Sequence, residues 1–387
     1  MKNQEVHRRK FLQLGGTLAA ASIIGPTLYS NTLFSELESS TSTEEGKIRL
    51  FSNENPYGPS KKVLDVISNQ LSRTNRYASY HKYSTDTLKE SIAKKHGVEK
   101  NQVILGHGSF EILCMLTRAF GKQENSIIVP GYTFNVTGRF ADKVFDHQCK
   151  QIPLNESMDI DLVATKKAIT KDTQLVYICN PNNPTGKILS ASELENFCKE
   201  IASSSCTIAI DEAYIDLVSP KDRLDIGKLL IEKHNVLIIR TFSKAYGLAG
   251  LRVGYAIGLP KVIERINSEH YSFGGLICNL GVAAAITALE DNAYTADYRN
   301  KNIEVRSYVE QSLQSFGIEY LPSTTNFMLL KVKDVDRYRK ALKTVGISPV
   351  PGGGAKYPEW SRISIGTQPE METFIKTIGK MDWLIKK

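Results

Sequence analysis

From Gln102 onward the chain returns repeatedly to short runs of β-branched and aliphatic residues. They are Gln102–Leu105, Ser126–Val129, Gln174–Cys179, Thr207–Ile210, Asn235–Arg240 and Arg252–Ile257. Each run is nearly continuous rather than alternating, the pattern of a strand buried on both faces. Helical patterns lie between several of them, for example Ser109–Phe120 and Ala191–Ser203. Ser190 precedes the second with a glutamate, Glu193, three residues on, which supplies an N-cap. Strands alternating with helices predict an α/β fold with a mostly parallel sheet flanked by helices. Ligands of such sheets bind beyond the carboxyl ends of the strands. At 387 residues the chain is too long for one core, so a second, smaller α+β domain is expected.

The residues just past the strand ends share a chemistry. Gly106-His107-Gly108-Ser109 follows the first run and Pro130-Gly131-Tyr132 the second. Asn180-Pro181-Asn182-Asn183-Pro184-Thr185-Gly186 follows the third, Asp211-Glu212-Ala213-Tyr214 the fourth, and Thr241-Phe242-Ser243-Lys244 the fifth. Arg252 stands eight residues beyond Lys244. Singly, each has an ordinary reading: a glycine turn before a helix, a strand-end aspartate as a cap, a packed tyrosine, a solvated loop lysine. In this order on successive strand ends they converge on one ligand site.

These motifs resemble the fold-type-I pyridoxal-phosphate (PLP) enzymes of the aspartate-aminotransferase superfamily, and within it the histidinol-phosphate aminotransferases. The likeness runs from about Arg49 to the C-terminus. It includes Ser52-Asn53-Glu54-Asn55-Pro56-Tyr57-Gly58-Pro59-Ser60, the run from Thr241 to Arg252, and Arg362-Ile363-Ser364-Ile365-Gly366-Thr367. The resemblance implies a role for each matching residue. Lys244 would carry the cofactor as a Schiff base and move the substrate's proton. Asp211 would pair with the pyridine nitrogen. Asn183 and Tyr214 would bond the ring's 3′ oxygen, and Tyr132 would stack on the ring. The cofactor phosphate would lie on the N–H groups of Ser109 and Phe110 at a helix start, completed by Thr241, Ser243 and Arg252. Arg362 would grip the substrate carboxylate, with Asn183 and Tyr57 beside it. Tyr77 would reach the phosphate of a neighbouring subunit, so a homodimer with shared sites is implied. The division expected is residues 1–46 as export signal and linker, 47–80 as an arm and part of the small domain, 81–300 as the large PLP-binding domain, and 301–387 as the C-terminal small domain.

The chain departs from the family at three places. Phe110 replaces the acidic residue that follows the Gly-x-Gly-Ser turn. Gly346-Ile347-Ser348-Pro349-Val350 lacks the arginine that holds a substrate phosphate, and Gly352-Gly353-Gly354 follows. A neutral Val350 favours an unphosphorylated substrate with an apolar or aromatic side chain, unless Lys356 or His81 supplies the missing charge. The reaction expected is transfer of an amino group between an amino acid or amino-alcohol phosphate and a 2-oxo acid. The alternatives are a decarboxylase of the threonine-phosphate decarboxylase type and a non-catalytic ligand-binding protein on the same fold.

The first ten residues hold Lys2, Arg8, Arg9 and Lys10 against Glu5, and no charge follows from Phe11 to Ser35. Paired arginines before Phe11-Leu12 resemble a twin-arginine export signal, with His7 where Ser or Thr is usual. That implies a periplasmic protein exported by the twin-arginine machinery. No clear Ala-x-Ala site follows, so the signal can remain as a membrane tether; a non-functional signal would leave the chain cytoplasmic. The formal net charge is +8, of which this start supplies +3. The remaining excess is mild and not interleaved with aromatics, which argues against a nucleic-acid partner. The six cysteines show neither Cys-x-x-Cys pairs nor zinc-ligand spacing, so no metal is expected.

Overall fold

The structure, a computed structural model, describes residues 47–385 apart from 80–81, 123–125, 147–148, 202–205, 233, 270–275, 349–351 and 354–356. The export signal and linker, His81, Val350 and Lys356 therefore lie outside the described residues.

The six apolar runs fold as strands of one seven-stranded sheet. Its members are β1 (Val103–His107), β2 (Ile127–Pro130), β3 (Lys150–Ile152), β4 (Leu175–Cys179), β5 (Thr207–Asp211), β6 (Val236–Thr241) and β7 (Val253–Gly258). The order is β1-β7-β6-β5-β4-β2-β3. Every pairing is parallel except those of β7, which runs antiparallel to both β1 and β6. The continuous hydrophobicity has its reason here. Ile208, Ile210 and Ile238 face one core, while Ala209, Leu237 and Tyr177 face the other, beneath the Gly108–Phe120 helix. Each fully buried aliphatic side chain contributes roughly 1.5–3 kcal/mol. The edge strand β3 is not legible in the sequence, because it is three residues long and two of them, Lys150 and Gln151, are polar. The helix beginning at Ala191 carries the expected capping box between Ser190 and Glu193.

A second sheet, in the order β10-β11-β9-β8, is built from β8 (Tyr320–Leu321), β9 (Phe327–Lys331), β10 (Gly352–Gly353) and β11 (Tyr357–Ser364), all antiparallel. Its core joins Met328, Leu330, Ile363 and Phe374 to Val305, Val309 and Leu313. The last three lie on the long Asn292–Ser315 helix, whose Tyr298 belongs to the large core, so one helix serves both. The segment assigned to the arm and small domain divides likewise: Leu50 enters the small core, Val63 and Ala78 the large one. Among the described residues no helix is long and apolar enough to cross a membrane.

Candidate active site

Strands β1, β4, β5 and β6 end on the same edge of the sheet, and β7, running the other way, begins there. That reversal is why Arg252, the residue before β7, joins residues that follow the other strands. Arg252 takes a left-handed backbone (φ 52°) to turn into the strand. The edge opens into a cavity of about 510 Å³ lined by Ser109, Phe110, Asn183, Asp211, Tyr214, Thr241, Ser243, Lys244, Arg252 and Arg362. Ten of the residues singled out in the sequence thus meet around one space.

One end of the cavity is an anion cradle. The Gly108–Phe120 helix starts there, so Ser109 and Phe110 present first-turn N–H groups that have no helical acceptor. Thr241 Oγ1 donates to Ser243 Oγ (3.0 Å), and Arg252 Nη1 lies 3.4 Å from the same oxygen. The helix start sits tightly on β7: a Cβ on Gly254 would fall 2.3 Å from the Ser109 nitrogen, and one on Gly108 (φ +72°) would fall 2.6 Å from Arg252 Nη2. Only glycine allows this approach.

The same cavity holds a buried carboxylate. Asp211 Oδ1 accepts the Ala213 N–H (3.1 Å), and Oδ2 accepts the Tyr177 hydroxyl (3.0 Å). Burial raises the Asp211 carboxyl to about 6, against the pull of these two donors. Lys244 lines the same cavity, and its amine donates to the Ser52 carbonyl (2.8 Å). Burial, and next the charge of Arg362, lower that amine to about 8. The Tyr214 hydroxyl receives amide protons from Asn53 (3.0 Å) and Asn183 (3.2 Å). Both its lone pairs are thereby engaged, and its own proton is left to donate.

Arg362 enters from β11 of the second sheet. Its Nη1 donates to Asn183 Oδ1 (2.8 Å) and its Nη2 to the Phe51 carbonyl, while Nε is buried without a partner. The rings of Phe51, Phe110 and Phe134 also line the cavity, with Phe110 half exposed.

Three tyrosines singled out in the sequence are not among the lining residues. Tyr132 stacks on Tyr357 of β11, centroids 4.2 Å apart. Tyr57 packs edge-on to Tyr298 (6.0 Å), with the Lys301 amine 5.2 Å from its ring. Tyr77 projects to the surface, 74 % exposed. Ser52, Asn53, Phe51, Phe134 and Tyr177 also contribute to the site without standing out as site residues in the sequence. Ser52 and Asn53 were visible inside the Ser52–Ser60 motif; the aromatics carry no local signal that separates them from core.

The donor set suits a flat, phosphorylated, nitrogen-containing ring: one cavity holds an anion cradle, a buried carboxylate and a lysine. Among the described residues no group of three or more His, Cys, Asp or Glu could hold a metal. Residues 45–378 match the aminotransferase class I and II family, and the chain belongs to that family. More particularly, it is 35% identical over 337 residues to a histidinol-phosphate aminotransferase of Moorella thermoacetica, covering 86% of this chain and 85% of that one. The histidinol-phosphate aminotransferase of Sinorhizobium meliloti, solved with pyridoxal-5′-phosphate, superposes with a TM-score of 0.77 at 26% identity, covering 86% and 91% of the two chains. L-threonine-O-3-phosphate decarboxylase of Porphyromonas gingivalis shares the fold alone (TM-score 0.72, 20% identity, 86% and 99% covered).

Proposed function

We propose that this aminotransferase carries pyridoxal phosphate on Lys244 and moves the amino group of an unphosphorylated apolar or aromatic amino acid to a 2-oxo acid. The reading rests on one observation: a half-buried lysine and a buried aspartate line one cavity together with an anion cradle. Bound there, pyridoxal phosphate supplies an electron sink for negative charge at the substrate's α-carbon. The protein's residues do the rest. Ser109, Phe110, Thr241, Ser243 and Arg252 hold the phosphate. Asp211, ionised, keeps a proton on the ring nitrogen, and Tyr214 donates to the ring's 3′ oxygen. The Lys244 amine, lowered to about 8, can take a proton from the α-carbon and return it near neutral pH. Arg362 orients the α-carboxylate, and Phe51 and Phe134 add apolar wall to the cavity.

The substrate class follows from charge. Among the described lining residues the cations are Lys244, Arg252 and Arg362. The cofactor and the α-carboxylate occupy all three, which leaves none for a phosphate on the substrate. Val350, where related sequences carry arginine, points the same way. The test compares kcat/KM for phenylalanine, tyrosine and leucine with that for histidinol phosphate, following release of the deaminated product. A wide advantage for histidinol phosphate would overturn the substrate assignment; release of carbon dioxide instead of a 2-oxo acid would overturn the reaction.

Exposed Tyr77 supports a homodimer in which each subunit completes the other's cradle. The Arg8-Arg9 pair supports twin-arginine export to the periplasm, a route that takes proteins already folded around their cofactors.

A further inference from the structure

We infer that Tyr177 is a positioning residue for this reaction: its hydroxyl fixes the orientation and the charge of the Asp211 carboxylate that meets the cofactor's ring nitrogen. The inference rests on the reading that pyridoxal phosphate fills the cavity.

Strands β4 and β5 pair with Cys179 opposite Asp211 and Tyr177 opposite Ala209. Side chains two residues apart on a strand share a face, so Tyr177 and Asp211 lie diagonally on the same side of the sheet, within reach of a tyrosine's length. Tyr177 is fully buried, and its oxygen lies 3.0 Å from Asp211 Oδ2 and 3.2 Å from the Phe134 carbonyl. One hydroxyl proton thus has two acceptors. An ionised carboxylate is the stronger, so the proton goes to Asp211 when Asp211 is charged. A protonated Asp211 would turn the hydroxyl toward Phe134, whose own ring lines the cavity.

The other groups near the carboxylate are Cys179 on β4, Glu212 and Tyr214 just beyond β5, and Lys244 beyond β6. Of all these neighbours, Tyr177 is the side chain that donates a hydrogen bond to it. With the Ala213 N–H on Oδ1, the two donors pin both oxygens and still leave each a lone pair for the ring's N–H. Phenylalanine would occupy the same volume among Leu175, Ala209 and Leu237. The substitution keeps the ring and removes the hydroxyl, with its bonds to Asp211, the Phe134 carbonyl and Cys179.

The experiment uses the full-length protein, stripped of cofactor, as wild type and Tyr177→Phe. Dissociation constants are measured for pyridoxal phosphate and for its 1-deaza analogue, in which carbon replaces the ring nitrogen. Wild type should prefer pyridoxal phosphate. Tyr177→Phe should lose about ten- to a hundredfold of that preference while binding the analogue unchanged. Added to Asp211→Asn, the same substitution should have no further effect. Equal weakening of both ligands would mean that Tyr177 only packs, and an unchanged preference would mean that Asp211 does not need it; either overturns the inference. Wild type that binds both ligands equally would also overturn it, whereas wild type that binds neither overturns the cofactor reading itself.

Discussion

Glu212 follows Asp211 on β5 but faces the other core, where its Oε2 receives both Nε (2.9 Å) and Nη2 (2.8 Å) of Arg240. Both side chains are buried, 1 % and 7 % exposed. The pair therefore ties the end of the strand that carries Asp211 to the end of the strand that leads into Thr241 and Lys244. Replacing Glu212 by leucine leaves the Arg240 guanidinium buried without its partner. Such a loss costs about 3–5 kcal/mol. The charge of Asp216, which also acts on Arg240, places the expected cost near the lower end, about 3 kcal/mol. Urea denaturation of the cofactor-free protein, followed by far-ultraviolet circular dichroism, reads this as a midpoint lowered by about 1 M for a slope of about 3 kcal/mol/M. The double substitution Glu212→Leu with Arg240→Met removes both charges and should recover most of the loss. A single variant that moves the midpoint by less than about 0.3 M, or a double variant as unstable as the single, would refute the reasoning.

Four further outcomes are expected. Borohydride reduction of the holoenzyme should fix the cofactor on the peptide that contains Lys244, and Lys244→Ala should abolish both label and turnover; a label on another lysine would sink the assignment. In the cofactor-free protein burial raises Asp211 from 3.8 to about 6, so between those values the folded chain keeps a proton that the unfolded chain has lost. The stability from this group is thus present below the window and lost as pH rises through it; Asp211→Asn should raise the melting temperature at neutral pH, with a gain that shrinks on acidification, and a pH-independent gain would contradict this. Gly254→Ala drives a Cβ to 2.3 Å from the Ser109 nitrogen and 2.5 Å from the Gly108 carbonyl carbon, and should cost about 1–3 kcal/mol in thermal denaturation together with weaker phosphate binding; a neutral substitution would show that the helix start yields. Arg8→Lys with Arg9→Lys should trap the protein inside the cell in fractionation experiments, and continued export would point to another route.

The features legible in the sequence were those with local causes. The capping box at Ser190 needs only four residues, and a strand buried on both faces announces itself by a continuous apolar run. Strand-end residues were legible because the fold class fixes where strand ends must go. What escaped depended on partners remote in sequence. Tyr177 sits in an apolar run and reads as packing; only the register with β5 brings its hydroxyl to Asp211. Asn53 reaches Tyr214 across 161 positions, and Tyr132 finds Tyr357 on a strand of the second sheet. The direction of β7, which delivers Arg252, is equally invisible in its composition.

That strand also governs how the chain can be made. β1 stands at the edge of the sheet, and its one partner is β7, about 150 residues later. At a synthesis rate of 5–20 residues per second, β1 waits roughly 8–30 s on the ribosome before a partner strand emerges. Leu50 waits longer still, for Ile363 and Phe374 near the other terminus. The seven-stranded sheet can therefore close while the chain is still being made, whereas the core that holds Leu50 closes only as synthesis ends. Helpers that shield nascent apolar segments, rather than the speed of any local helix, should set its yield in the cell.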